Sequence, residues 1–277
     1  MFVDLELAAR IEKAEANLTR EAGYTFGRAN GKGSAFAVEI GGGVAAFLRQ
    51  GSPMNKVIGI FDGFPPDAEV ARLEELYHER AEPVRVELST LAQPDIGQRL
   101  TERGYTLLGF ENVLGRRLKE EEPAFTSEIG IERIAESQLE EWQRVVVDGF
   151  AHPDETGVVL DSFTREIIDQ ALRDFLAVEG FTRYVAKRNG VIAGGASMRV
   201  SGDIALMTGA ATLTEHRRQG VQTASLDRRI RDAAALGARI AVITTSGGTR
   251  SQANAMGHGF SLLYSRAILT RAHHSRA

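Results

Sequence analysis

The chain has 277 residues, enough for two modest domains or one large one. Its formal net charge of −4 gives no global attraction for nucleic acid or an anionic membrane, and the absence of cysteine excludes disulfides, thiolate metal sites and cysteine nucleophiles. No apolar run approaches the ~20 residues that span a bilayer, and the acidic start Met1-Phe2-Val3-Asp4-Leu5-Glu6 does not read as a signal peptide, so the expected location is cytoplasmic.

Residues 4–21 read as a helix, with Leu5, Ala8, Ile11, Ala14 and Leu18 at helical spacing. Two short strands follow at 36–40 and 44–49, turned by Gly41-Gly42-Gly43, then a third at 55–61. Pro65-Pro66-Asp67 opens a helix whose apolar face is Val70, Leu73, Leu76 and Tyr77. A strand at 84–88, a short helix at 95–103 and a long strand or strand pair at 105–118 complete this half. The charge run Lys119-Glu120-Glu121-Glu122, closed by Pro123, reads as a linker, which divides the chain into domains 1–122 and 123–277.

The second half begins with a strand at 127–133 and a helix presenting Leu139, Trp142, Val145 and Val146 on one face. A loop at 149–157 carries His152, and the next helix uses Phe163, Ile167, Ile168, Ala171, Leu172 and Phe175. Strands at 182–188 and 191–200 flank Asn189-Gly190, a strong hairpin signal. Then come a strand at 204–213, a helix at 223–236 stopped by Gly237, a strand at 239–244, a loop at 245–250, a short helix from Ser251 and a last strand from Phe260. The tail 272–277 is expected to fray. One repeat is visible: Gly104-Tyr105-Thr106-Leu107-Leu108 returns as Gly259-Phe260-Ser261-Leu262-Leu263, and Leu114 and Arg116 return at the same spacing as Leu269 and Arg271. The first half therefore reads as a degenerate copy of the second.

The chemistry concentrates at Glu215-His216-Arg217-Arg218-Gln219-Gly220-Val221-Gln222-Thr223-Ala224, a strand-to-helix turn. A helix start offers unpaired N–H groups and the positive end of the helix dipole, glycine allows close approach, and arginine adds charge-assisted hydrogen bonds. Together these predict a diphosphate cradle. The corresponding place in the first half, Asp62-Gly63-Phe64-Pro65-Pro66-Asp67, has two acids and no arginine, so it is not expected to bind a diphosphate.

The segment resembles motif A of the GNAT superfamily of N-acetyltransferases, R/Q-x-x-G-x-G/A. Arg217, Gly220 and Gln222 take the defined positions, although Gln222 replaces the usual Gly or Ala and His216 stands where an aromatic is usual. The resemblance implies an α/β fold, a central mixed β-sheet flanked by helices, here in tandem with one active domain. It implies acetyl-CoA as co-substrate and an amine acceptor as partner. Pantetheine would pair with the backbone of Ala211, Thr212 and Leu213, and the diphosphate would sit on Arg217, Arg218, Gln219, Gly220, Val221, Gln222 and Thr223. Ser251 and Asn254 would reach pantetheine, with an N-cap as the simpler role for Ser251. The family's motif B tyrosine, five residues before Phe260, is Ala255 here, so Tyr264 and Ser251 are the candidate proton donors.

Rival readings are weaker. Six histidines show no metal-ligand spacing, so no metal is expected. Gly31-Lys32-Gly33-Ser34 fails as a P-loop, because Phe26 stands where the first glycine belongs and Gly33 where Ser or Thr belongs, and G-x-S-x-G is absent. The reading is an acetyl-CoA-dependent N-acetyltransferase acting by direct transfer. A non-catalytic CoA-binding or interaction module is the alternative, and a nucleotide-dependent phosphotransferase is disfavoured.

Overall fold

The computed structural model describes residues 1–31, 33–123, 125–153, 156–157 and 163–272. Lys32, Asp154, Glu155 and most of the tail expected to fray lie outside the described residues. The chain divides into two compact units. One comprises Phe2–Asn112 and the chain from Tyr264 onward, and the other comprises Val113–Leu263 with Met1.

In the first unit, helix α1 (Leu5–Asn30) starts at Asp4, whose carboxylate accepts from the Leu7 N–H at 2.8 Å. It runs past the expected end at residue 21, through Gly23 and Gly27. Glycine here serves packing: a Cβ at Gly23 would lie 2.8 Å from the Ala37 Cβ. Strands β1 (Phe36–Ile40) and β2 (Gly43–Phe47) form an antiparallel hairpin. β2 pairs antiparallel with β3 (Lys56–Ile58), which pairs parallel with β4 (Val84–Ser89). Helices α2 (Asp67–His78) and α3 (Pro94–Glu102) bury Val70, Leu73, Tyr77, Ile96 and Leu100 in a core with Ile40, Phe47 and Val57. β4 then takes as its next neighbour the outer part of the last strand of the chain, β11 (Ser261–Arg271), from Arg266↔Ser89 to Arg271↔Val84.

In the second unit the end of β5 (Thr106–Arg117) lies beside β10 (Ile240–Ser246), and Leu118 N–H donates to Arg239 O at 2.8 Å. The order continues from β10 through β9 (Ile204–Thr212), β8 (Val191–Ser201) and β7 (Phe181–Arg188) to β6 (Gly130–Arg133). Helices α4 (Leu139–Ala151) and α5 (Arg165–Leu176) pack Trp142, Val146, Leu172 and Leu176 against Val185 and Ala211. Helices α6 (Val221–Ala235) and α7 (Arg250–Gly257) supply Leu226, Ile230, Ala233 and Ala255 to a second core with Tyr184, Met198 and Ala205. Neighbours Tyr184 and Val185 enter opposite cores, as the pleat requires. The mixed sheet is thus covered by helices on both faces.

The duplication is visible in element order. β1-β2-β3-α2-β4-α3-β5 recurs as β7-β8-β9-α6-β10-α7-β11. Each copy completes its sheet with the final strand of the other copy, β11 beside β4 and β5 beside β10. For that reason the compact units divide inside β5 and β11, whereas the sequence suggested a cut at 122/123.

Candidate functional site

Two irregularities in β9 shape the site. Along β8, Ser197 pairs with Thr208 and Gly195 with Ala211, so Gly209 and Ala210 together oppose Ala196. This is a β-bulge. Gly209 has φ +54°, and a Cβ there would lie 2.8 Å from Ser197 Oγ, so both conformation and space call for glycine. On its other edge β9 pairs with β10 only at Ile204↔Ile240, Ala205↔Ala241 and Leu206↔Val242. Beyond these pairs β9 continues to Thr212 and β10 to Ser246 without a shared register. Two parallel strands that stop pairing while both continue leave backbone donors and acceptors available to a ligand. On the β8 side Leu213 N–H still donates to Ala193 O at 3.0 Å. Ala211 is buried, and α4 approaches it through Gly149, where a Cβ would lie 2.5 Å from the Ala211 Cβ.

At the end of β9 a 3₁₀ turn, Thr214–His216, leads into the predicted cradle. Arg218 takes the left-handed region at φ +61°, and Gly220, at φ +82°, caps α6 without any side-chain hydrogen bond. Ala224 N–H to Gly220 O, 3.0 Å, is the first bond of the helix, so the N–H groups of Val221, Gln222 and Thr223 precede it. A Cβ on Gly220 would meet nothing within 4 Å, so the helix start faces open space. Val221 is buried, whereas Gln222 and Thr223 are half-buried.

The two arginines divide their labour. Arg218 is exposed and makes no hydrogen bond or ion pair among the described residues. Arg217, expected to clamp phosphate with its side chain, instead donates Nε to Thr212 O at 3.3 Å and Nη2 to the carbonyls of Gly149 (3.3 Å) and His152. Those last carbonyls lie at the C-terminal end of α4, where a cation is favoured. The Arg217 guanidinium therefore ties α4 to β9, and its backbone N–H closes the 3₁₀ turn by donating to Thr214 O at 3.3 Å. Gln219 donates to Glu215 O at 3.1 Å, which braces the turn.

In α7 the N-cap is Thr249, whose hydroxyl accepts from Gln252 N–H at 3.2 Å. Ser251, considered as a cap, sits within the first turn with an exposed hydroxyl. Asn254 follows three residues later on the same helix face. Neither side chain has a hydrogen-bond partner among the described residues. His152 Nδ1 is 2.9 Å from Asp148 O. A cavity of about 760 Å³ near this end of α4 is lined by charges of both signs, including Arg144, Asp148, Lys187 and Glu215.

Tyr264 does not have the setting of a proton donor. It belongs to the compact unit of Phe2–Asn112, is buried, and donates its hydroxyl to Glu12 Oε1 at 2.7 Å. Arg266 Nε donates to the same oxygen at 2.8 Å, and its Nη1 to Glu15 at 3.0 Å. Burial, reinforced by the Glu12 charge, holds the hydroxyl far above the ordinary tyrosine range. Simple alternation from Phe260 would place Leu262 and Tyr264 on one inward face. In fact Leu262 is exposed and Leu263 and Tyr264 are both buried.

In the other copy, the start of α2 carries acids where α6 carries none. Asp67 and Glu69 occupy its first turn, and Asp67 pairs with Arg99 at 2.7 Å and Arg103 at 3.2 Å. Beyond β3, Phe61 O accepts from Gln93 N–H at 3.0 Å. Among the described residues no cluster of three His, Cys, Asp or Glu could hold a metal ion, and no helix is long and apolar enough to cross a membrane.

Residues 136–260 match the model of the acetyltransferase (GNAT) family. In fold the chain is similar to a GCN5-related N-acetyltransferase from Kribbella flavida, with a TM-score of 0.66, 18% identity and 95% of each chain covered. It is also similar to a tandem GNAT protein from the clavulanic acid biosynthesis pathway, with a TM-score of 0.59, 14% identity, and 92% of this chain and 89% of that one covered. A GCN5-related N-acetyltransferase from Sphaerobacter thermophilus gives a TM-score of 0.56 at 12% identity, over 87% of this chain and 76% of that one. No curated protein matches the chain in sequence.

Proposed function

From the membership of residues 136–260 in the GNAT acetyltransferase family, we propose that the Val113–Leu263 unit binds acetyl-CoA and transfers its acetyl group directly to an amine. The observation that carries this reading is the parting of β9 and β10 after three register pairs, with the Gly209 bulge in the opening and the uncapped start of α6 at its end. The coenzyme supplies a thioester, an acyl group activated by a thiolate leaving group. The N–H groups of Gly220, Val221, Gln222 and Thr223 and the exposed Arg218 guanidinium hold the diphosphate. The backbone of Ala211, Thr212 and Leu213 guides the pantetheine arm, and Ser251 and Asn254 offer it side-chain hydrogen bonds. Backbone N–H groups at the bulge polarise the thioester carbonyl and stabilise the negative charge on its oxygen as the amine attacks. The C–S bond then breaks; the attacking nitrogen gives up one proton to water, and the departing sulfur gains one, from water or relayed through the Ser251 hydroxyl. A cytoplasmic site of action goes with this reading.

A second reading is favoured by one feature: Ala255 replaces the family's usual acid, and Tyr264 is committed to Glu12. On that reading the unit binds the coenzyme without turning it over. Thiol release from acetyl-CoA, measured against a panel of small amines, amino acids and peptide N-termini, separates the two. Release that depends on an amine establishes transfer. Tight coenzyme binding with no release by any amine supports the binding module, and failure to bind acetyl-CoA removes both.

A further inference from the structure

The Val113–Leu263 unit buries a full cation where its core needs only an apolar residue. Arg229, in the middle of α6, is 1% exposed, and its helix neighbours Leu226, Ile230 and Ala233 belong to the apolar core. No carboxylate among the described residues pairs with it. Burial lowers its guanidinium to about 10, so it stays charged at neutral pH. Burying an unpaired charge is among the costliest things a fold does, and such a group calls for a reason.

The hydrogen bonds of Arg229 suggest one. Nε donates to Ser225 O at 3.1 Å within the helix, while Nη1 donates to Ser197 O at 3.1 Å and Thr208 O at 3.4 Å. Ser197 and Thr208 are the last matched pair before the bulge. Ser197 Oγ also contacts Thr208, at 3.2 Å from its carbonyl oxygen and 2.9 Å from its hydroxyl. Two side chains thus converge on the carbonyl that immediately precedes Gly209. A strand with an extra residue can pair in more than one register, and a slip by one residue turns every group to the other face.

We propose that Arg229 is a positioning residue for acyl transfer: by gripping the carbonyls of Ser197 and Thr208 it locks the bulge, which keeps the Gly209 and Ala210 N–H groups out of the β8 ladder and available to the thioester carbonyl. The proposal rests on the coenzyme reading above. It assigns a role in orientation to a side chain that does not touch the substrate.

Difference infrared spectroscopy of acetyl-CoA labelled with ¹³C at the thioester carbonyl tests it without any acceptor. In the wild type the bound carbonyl band should lie below its position in free acetyl-CoA, because hydrogen bonding weakens the C=O bond. In Arg229→Met, shown to be folded by circular dichroism, the band should return at least halfway to the free position, while CoA affinity stays within about threefold because the diphosphate cradle is untouched. Arg229→Lys, which keeps the charge but cannot bridge both carbonyls, should show an intermediate band, and it carries the test if the methionine variant does not fold. A wild-type band in folded Arg229→Met, or in Arg229→Lys where that variant stands alone, would overturn the proposal and leave Arg229 a packing residue. A wild-type protein that binds acetyl-CoA with an unshifted carbonyl would also overturn it. Failure of the wild type to bind acetyl-CoA is a different result, because it refutes the coenzyme reading itself.

Discussion

Gly220→Asp probes the cradle with a single charge. Gly220 sits at φ +82°, a conformation that costs an L-residue about 1–2 kcal/mol, and its Cβ position is open. A carboxylate at a helix N-terminus recovers about 0.3–1 kcal/mol from the dipole. The folded protein should therefore lose no more than about 1.5 kcal/mol. Coenzyme binding should suffer more. A carboxylate ~5 Å from a diphosphate oxygen, at an effective dielectric near 20, repels each unit charge by about 3 kcal/mol. With solvent screening, a loss of at least ~2 kcal/mol, or about 30-fold in Kd, is expected. Gly220→Asn is the matched control, since asparagine has the same shape, tolerates the left-handed region and carries no charge. Calorimetry with acetyl-CoA should give the asparagine variant an affinity much nearer to wild type than to the aspartate variant. Equal affinities for aspartate and asparagine in two folded proteins would show that no diphosphate lies over Gly220.

Tyr264→Phe should destabilise the protein by about 1–3 kcal/mol, because Glu12 Oε1 loses a donor while its Oε2 already lacks one; turnover should stay within about threefold, and a loss of ~100-fold in a folded variant would reinstate Tyr264 as the proton donor. Glu111 titrates near neutrality: burial and then the Glu87 charge push its carboxyl up to about 7, opposed by Lys56 and Arg266, with Glu15 adding to the rise. A raised folded-state value means stability is fully present below the unfolded value of about 4.3 and lost as pH rises through about 7, a component on the order of 3–4 kcal/mol, of which about 2 kcal/mol falls above pH 5.5. Denaturant melts from pH 5.5 to 8 should show this decline in the wild type and a flatter profile in Glu111→Gln; an unchanged slope in the variant would assign the effect elsewhere. Titration with acetyl-CoA should saturate at one equivalent per chain, since the acids Asp67 and Glu69 occupy the first turn of α2, and two equivalent sites would contradict this.

Features set by residues a few positions apart were legible in the sequence. Asn189-Gly190 predicted the β7–β8 hairpin, and both residues adopt positive φ, 50° and 80°. Gly220 predicted the turn into α6 and Gly237 its end, because only glycine enters the left-handed region freely. The repeated Gly-aromatic-x-Leu-Leu pattern announced a second copy of the fold, since the same periodicity yields the same strand. The start of α7 was misread by two residues, because Thr249 and Ser251 are chemically equivalent caps and only backbone geometry separates them. The first helix, expected over 4–21, runs on to Asn30 because Gly23 lets it pack closely on β1.

Tertiary structure alone decided the rest. Whether β4 takes β5 or β11 as its neighbour is a choice among strands of similar pattern, and no local propensity distinguishes them. Tyr264 could not be read as structural without Glu12, 252 positions away, nor could Arg217 without the carbonyls of Gly149 and His152. The bulge at Gly209 was invisible in an apolar run, because a strand that is apolar on both faces shows no alternation whose phase an extra residue could shift. The physical reason is common to all of these. Backbone conformation responds to neighbours along the chain, whereas strand partners and the hydrogen bonds of long side chains are settled by whatever the folded chain brings within about 3 Å of them.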